Sequence, residues 1–229
     1  MGKTKEIAIP ADNTERCHLC FKDDVCTDAT TGKFDPGANQ TGLQMHESGI
    51  AAAKLSAYFF PLIEKEGIPT HFICAGGMRV NGVDEARILT VKHVKIIPVE
   101  FIWRDKAWGS FCKMYGVEKG LELHGLIEAT LKDDALGDPR INAEAAIALG
   151  KLTEEQYDLC DGYTRQVGNL LASIIREKGL ELIDFKLEFG TDDQGKLMLA
   201  DEISGNVIRV IDKEGNSVDP IELAKIICG

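Results

Sequence analysis

Residues 180–204 read LELIDFKLEFGTDDQGKLMLADEIS, and the alternation within this stretch decides the fold class. From Ile183 to Phe189 every second residue is apolar, and Asp184, Lys186 and Glu188 fall between. A period of two places Asp184, Lys186 and Glu188 on one face of a strand and Phe185, Leu187 and Phe189 on the other, toward a core. Thr191-Asp192-Asp193-Gln194-Gly195 is turn chemistry, and KLMLADEIS then returns as a second strand. Across such a hairpin Asp201 approaches the face that carries Asp184, Lys186 and Glu188. A face of this kind is either solvated or lines a polar cleft. Carboxylates beside an ammonium suit Mg²⁺ held together with phosphate oxygens, because Mg²⁺ takes few carboxylates and keeps substrate phosphate as a ligand.

Working outward, residues 3–9 and 16–22 are short strand-like runs separated by Pro10 and the Asp12-Asn13-Thr14 turn. Residues 27–48 are rich in Gly, Thr, Asp and Asn and read as a long loop, a class of segment that often binds ligands. GIAAAKLSAYFFPLIEKEG, residues 49–67, has Ile50, Ala53, Leu55, Phe59 and Ile63 near helical spacing. Gly67 ends that helix, and Pro61 bends it or ends its first part. THFICAGG and RILTVKHVKIIPVEFIWR are rich in β-branched residues and read as strands, with passage from a first lobe to a second near Pro98. SFCKMYG reads as a short helix stopped by Gly116, LIEATLK as a strand, and 153–178 as a helix with Tyr157, Cys160, Tyr163, Val167, Leu170, Leu171 and Ile174 on one face. No internal repeat is present. Hairpins with segregated helices indicate an α+β fold in two lobes, 1–98 and 99–229.

Composition narrows the function. The 229 residues carry a net charge of −11, so a basic nucleic-acid-binding surface is not expected, whereas small anions held in a local basic pocket are. No apolar run approaches the roughly 20 residues of a membrane span, and MGKTKEIAIP lacks the apolar core of a secretory signal. With seven scattered cysteines, reduced thiols in a cytoplasmic protein are the expectation. Cys17-His18-Leu19-Cys20, with Cys26 and His46, reads either as a strand with buried thiols or as an incomplete metal or redox site.

Further segments carry candidate chemistry. Gly2-Lys3-Thr4-Lys5 places alternate lysines where a polyphosphate could lie, although GxxxxGK[ST] is absent, and the alternative is a fraying basic terminus. In Arg104-Asp105-Lys106-Ala107-Trp108-Gly109-Ser110, Ser110 sits at an N-cap position, a helix start favours an anion, and Arg104 adds a two-pronged phosphate donor. The alternative is an ordinary capped helix with a surface arginine. Lys132 to Pro139 marks a turn in which Asp138 orients backbone or binds metal.

Taken in order, GKTKEI, EKEGIPTHFI, VKHVKIIPVEFIWR, AWGSFCKMYGVEKGLEL, LKDDALGDPRIN, LIDFKLEFG and LADEIS resemble the phosphoribosylaminoimidazole-succinocarboxamide synthase (SAICAR synthetase) family along almost the whole chain. That resemblance implies a two-lobed α+β fold with ATP between the lobes. It also implies an ATP- and Mg²⁺-dependent ligase joining the carboxylate of carboxyaminoimidazole ribonucleotide to the amine of aspartate through an acyl phosphate. In such chemistry positioning and charge neutralisation dominate. By the same resemblance Lys3, Lys5, Lys92 and Lys132 lie around the nucleotide, and Glu188 and Asp201 hold its Mg²⁺. Arg104, Ser110 and Arg209 grip the ribonucleotide 5′-phosphate. Asp138 and Asp184 approach the imidazole carboxylate, and Lys186 neutralises charge as the acyl phosphate forms. Small-molecule substrates and a homodimer are the partners implied. The departures are Ala52 and Ala53 where the family carries paired Asn, Asn206 where it carries Asp, and Met114 where it carries Arg. These motivate a second expectation, a paralogous ligase for another azole carboxylate or amine; a third is a nucleotide-binding protein without catalysis.

Overall fold

A computed structural model describes residues 2–11, 14–28, 30–36, 38, 40–77, 80 and 82–229; Asp12 and Asn13 of the expected first turn lie outside the described residues. The elements in chain order are β1 (Lys5–Ala8), β2 (Arg16–Phe21), β3 (Asp24–Thr27), β4 (Gln40–Gln44), α1 (Ser48–Lys65), β5 (Phe72–Ala75), a 3₁₀ turn at Glu85–Arg87, β6 (Ile88–Lys92) and β7 (Lys95–Lys106). Then follow α2 (Ser110–Tyr115), β8 (Glu122–Leu131), α3 (Ala143–Ala148), α4 (Glu154–Glu177), β9 (Glu181–Thr191), β10 (Leu197–Ala200), β11 (Ile208–Ile211) and α5 (Pro220–Cys228). Segregated helices and antiparallel sheets make the fold α+β.

Two compact units divide the chain. The first comprises residues 1–96, 189–207 and 219–229, and the second 97–188 and 208–218. In the first unit an antiparallel sheet runs in the order β1-β2-β6-β5, and α1 packs on β2, β5 and β6 and against α5. The approach at the start of α1 is close. A Cβ on Gly49 would lie 2.8 Å from the carbonyl oxygens of Phe21 and Lys22, so only glycine fits there. Ala51, Ala52, Ala53, Leu55, Phe59, Phe60 and Ile63 are buried along α1, and the helix runs through Pro61 to Lys65. Burial of Phe59, Phe60 and Ile63 on both sides of the proline outweighs the one lost backbone bond, since each such side chain contributes roughly 2 kcal/mol.

The expected loop at 27–48 is in part a two-stranded ribbon, with β3 paired to β4. Its second strand, QTGLQ, is polar and largely exposed, so it lacks the apolar alternation by which strands announce themselves.

In the second unit β7 lies between β9 and β8, and β11 pairs with the other edge of β9. The last residues of β9 belong to the first unit, where the turn at 192–195 leads into β10. Helix α4 begins with a capping box: the Thr153 hydroxyl accepts from the Gln156 N–H and the Gln156 side chain accepts from the Thr153 N–H. Its buried stripe is Cys160, Thr164, Val167, Gly168, Leu171 and Ile175. That stripe is rotated slightly from the expected face, leaving Tyr157, Tyr163, Leu170 and Ile174 half-buried. The reason is Gly168, where a Cβ would meet the Trp103 ring nitrogen at 2.5 Å: the indole of β7 fits against the bare helix backbone there. Trp103 also stacks on Phe185 at 5.5 Å, and Phe101 meets Tyr157 at 5.2 Å. One face of the β9-β7-β8 sheet is therefore apolar and covered by α4, which leaves the opposite face for polar groups.

Candidate active site

The polar face of that sheet follows from parity. Asp184, Lys186 and Glu188 alternate on β9, Glu100 and Arg104 on β7, and Glu128 and Thr130 on β8. Partners directly opposite in antiparallel strands share a face, as Glu100 does with Thr130 and Arg209 with Asp184. Two adjoining clusters result.

In the first cluster Lys186 Nζ lies 2.7 Å from Glu100 Oε1 and 3.6 Å from Glu188 Oε1. Lys132 pairs with Glu188 and lies 3.5 Å from Glu100, and the Thr130 hydroxyl donates to Glu100 at 3.1 Å. Burial by itself would raise the Glu100 carboxyl; the Lys186 and Lys132 ammoniums overcome that and hold it below the usual carboxylate range.

In the second cluster Arg104 donates to Glu128 through Nε and to Asp184 through Nη1, both at 2.6 Å. Arg209 Nη1 donates to Asp184 Oδ1 at 2.7 Å. Arg140 pairs with Glu128, donates to the Tyr115 hydroxyl at 2.9 Å, and lies over the Phe111 and Tyr115 rings. Three guanidiniums against two carboxylates leave a local excess of positive charge. Burial lowers the Arg104 pKa, and the attraction of Asp184 works against that. Gly109 lies beside the Arg209 guanidinium, its Cβ position 3.6 Å from Nη2. The cap of α2 departs from expectation. Gly109, at φ 51° and ψ −120°, is the N-cap, and Ser110 is the first helical residue. That backbone conformation suits glycine, so the helix starts one residue before a serine-capped reading would place it. Asp138 orients backbone: its carboxylate accepts from the Asp133 N–H at 2.8 Å and closes the 133–138 turn.

The first unit holds Lys3, Lys5, Lys92 and Asp201. Lys5 Nζ lies 2.9 Å from Asp201 Oδ1 and 2.7 Å from Glu202 Oε1, and Thr4 Oγ1 donates to Glu202 at 3.0 Å. Glu202 also accepts from Ser204, and it is almost fully buried. Asp201 has φ +64°, a left-handed conformation that non-glycine residues seldom adopt. Lys92 is exposed and its backbone N–H donates to the His71 carbonyl at 2.6 Å. Burial pushes the His71 imidazole down to about 4, against the attraction of Asp201, so the ring is neutral at pH 7.

Sequence reasoning misses Glu100, Glu128, Arg140 and His71. A signal existed for one pair: Glu100 and Arg104 are polar interruptions four residues apart in an apolar strand, hence on one face. Cys17 and Cys20 are buried thiols of β2, three residues apart and so on opposite faces, which favours the structural reading over a shared ion. Among the described residues no group of three His, Cys, Asp or Glu side chains gathers as a metal cage. Mg²⁺ takes oxygen donors and needs few carboxylates when phosphate is also a ligand, and Asp201 in the first unit and Glu188 in the second are each a donor of that kind.

With this geometry in view, comparison with known proteins is specific. A family model described as SAICAR synthetase matches residues 1–224. The phosphoribosylaminoimidazole-succinocarboxamide synthase of Clostridium tetani is 39% identical, the match covering 99% of this chain and 96% of that one. The corresponding protein of Methanocaldococcus jannaschii is 37% identical over 95% of this chain and 82% of its own. Among solved structures, the synthase of Ehrlichia chaffeensis superposes with a TM-score of 0.81 at 29% identity, covering 96% of this chain and 87% of that one. A SAICAR synthetase in complex with ADP gives 0.79 at 33% identity, covering 96% and 86%.

Proposed function

The chain belongs to the SAICAR synthetase family, and from that premise we propose that it is an ATP- and Mg²⁺-dependent ligase of purine synthesis. It joins the carboxylate of carboxyaminoimidazole ribonucleotide to the amine of L-aspartate. The observation that carries this reading is the polar sheet face on which Lys186 stands between Glu100 and Glu188, beside the Arg104–Asp184–Arg209 group.

In this reading a carboxylate oxygen of the azole attacks the γ-phosphorus of ATP and ADP leaves. The aspartate nitrogen then attacks the carbonyl carbon of the acyl phosphate and loses a proton, and phosphate departs with that carboxylate oxygen. Lys186 neutralises charge as the acyl phosphate forms, its ammonium held in place by Glu100. Arg104, Ser110 and Arg209 take the 5′-phosphate, and Asp184 orients both guanidiniums beside the azole carboxylate. Asp138 shapes the neighbouring turn. Lys3, Lys5, Lys92 and Lys132 serve the nucleotide phosphates. Glu188 and Asp201 would hold Mg²⁺, which when bound offsets the charge of the transferred phosphoryl group. The ADP complex of a relative supports the nucleotide assignment. Among the described residues no helix is long and apolar enough to cross a membrane. A cytoplasmic location and a homodimer are part of the same proposal.

Labelling tests the chemistry. Azole substrate carrying ¹⁸O in its carboxylate should pass one labelled oxygen to phosphate, and unlabelled phosphate would refute the acyl phosphate.

One observation favours the second reading, a ligase for another acid or amine. The Asn206 carboxamide oxygen is buried without a hydrogen-bond partner, a state that costs about 1–3 kcal/mol unless a donor arrives. Where the family carries an acidic side chain, a neutral amide recognises a different partner. Turnover of another azole carboxylate or amine, with none of the purine intermediate, decides for it. Binding of ATP without phosphate release from any acid and amine decides instead for a non-catalytic nucleotide-binding protein, which retention of Lys186, Glu188 and Asp201 disfavours.

A further inference from the structure

We infer that His71 is a positioning residue for Asp201: its imidazole fixes the strained peptide that aims the Asp201 carboxylate. The inference rests on the nucleotide and metal role proposed above for Asp201. His71 Nε2 lies 3.1 Å from the Asp201 carbonyl oxygen. A carbonyl oxygen only accepts, so Nε2 carries the proton and donates. The peptide that receives this bond belongs to a residue at φ +64°, a conformation disfavoured for a side chain bearing a Cβ. Such a conformation persists where neighbours over-determine it.

Two such neighbours are Lys5 and His71. Lys5 holds the carboxylate end, 2.9 Å from Oδ1 and 3.0 Å from Oδ2, and His71 holds the carbonyl end. His71 is itself pinned at three points. Its N–H donates to the Leu199 carbonyl at 2.9 Å, two residues before Asp201, and its carbonyl accepts from the Lys92 N–H. Its ring packs edge-on against Phe60 at 5.3 Å. One buried residue therefore ties together the backbones of Lys92 and Asp201, two positions assigned to the nucleotide. A histidine that merely filled space would gain nothing from its nitrogen, because an apolar ring occupies the same volume without desolvating a polar atom.

The test compares His71→Phe, which keeps a ring and loses the donor, with His71→Gln, which keeps an N–H donor. Calorimetry of MgADP binding should show about a tenfold weaker dissociation constant for His71→Phe, the size typical of losing a group that orients a metal ligand. His71→Gln should recover most of the affinity, and binding of ADP in EDTA should be the same in all three proteins. A folded His71→Phe protein with wild-type affinity for MgADP overturns the inference. In the wild-type protein, nitrogen NMR shifts should report the Nε2-protonated tautomer; the Nδ1-protonated form overturns the inference even if His71→Phe does not fold. Wild-type protein that binds no MgADP contradicts the nucleotide reading instead, which keeps the two failures apart.

Discussion

Lys186 on β9 and Glu100 on β7 meet at 2.7 Å on the polar face of one sheet, and Glu100 is buried apart from that contact and its neighbours Lys132 and Thr130. A buried carboxylate paired with a less buried ammonium sets the ammonium's position without burying its charge. If Lys186 neutralises the forming acyl phosphate, Lys186→Met should lower kcat by roughly 10²–10³-fold, the usual effect of removing one preorganised charge donor. Glu100→Gln, which leaves Lys186 in place but less well held, should lower it less. Steady-state assays on both variants, with circular dichroism as a control for folding, check this ordering.

Arg104 and Arg209 share one carboxylate, and all three groups are buried. Removing Asp184 leaves two guanidiniums without it in a site that water scarcely reaches. Asp184→Ala should destabilise the protein by about 3 kcal/mol or more, since breaking a buried pair strands the remaining charge. Urea unfolding reads this directly, and the ribonucleotide KM should rise in parallel.

Gly168 is a packing requirement of α4 rather than a flexible point. With a Cβ position 2.5 Å from the Trp103 ring nitrogen, Gly168→Ala forces the helix or the indole to move. The expected cost is about 2 kcal/mol, in the range of overpacked cores. A changed Trp fluorescence maximum should accompany the lower unfolding midpoint.

Asp23 ties three segments of the first unit together. Its carboxylate takes both Nη atoms of Arg87, at 2.6 and 2.9 Å, and the Gly49 N–H at the start of α1, at 3.0 Å. The hydrogen bonds from Arg87 hold its carboxyl below the usual range, partial burial opposes them, and the Gly49 N–H adds to them. A carboxyl whose folded pKa is depressed stabilises the fold above its unfolded pKa, near 4, and ceases to as pH falls through the folded value. The gap in unfolding midpoint between wild type and Asp23→Asn should therefore be widest near neutral pH and close below about pH 4. A gap unchanged across that range would contradict the assignment.

The sequence carries the β9 hairpin plainly because its apolar and charged residues alternate without a break from Ile183 to Phe189. Less legible is what lies beside it. Glu100 and Arg104 sit in a strand dominated by Ile, Val, Phe and Trp, and only the pairing of β7 with its neighbours reveals that they face Lys186 and Asp184. Arg140 lies beyond the turn that follows β8, and its role exists only once that segment folds back and brings it to Glu128. The ribbon β3–β4 is hidden because its second strand is exposed and polar, so backbone pairing rather than burial holds it. Helix α5 does open on legible chemistry, Asp219 capping the Ile221 and Glu222 N–H groups with Pro220 following, but it is too short for periodicity to mark. Glycine hides information of another kind: nothing in the sequence at Gly109 or Gly168 says that one caps a helix and the other admits a tryptophan.

The proposed ligase activity is tested most directly by phosphate release from MgATP with carboxyaminoimidazole ribonucleotide and aspartate, each omitted in turn, and with the product identified by mass spectrometry. The account predicts release that needs all three components and a product whose mass is that of the succinocarboxamide. Release that ignores aspartate or the azole, or none at all while MgADP still binds, would contradict it.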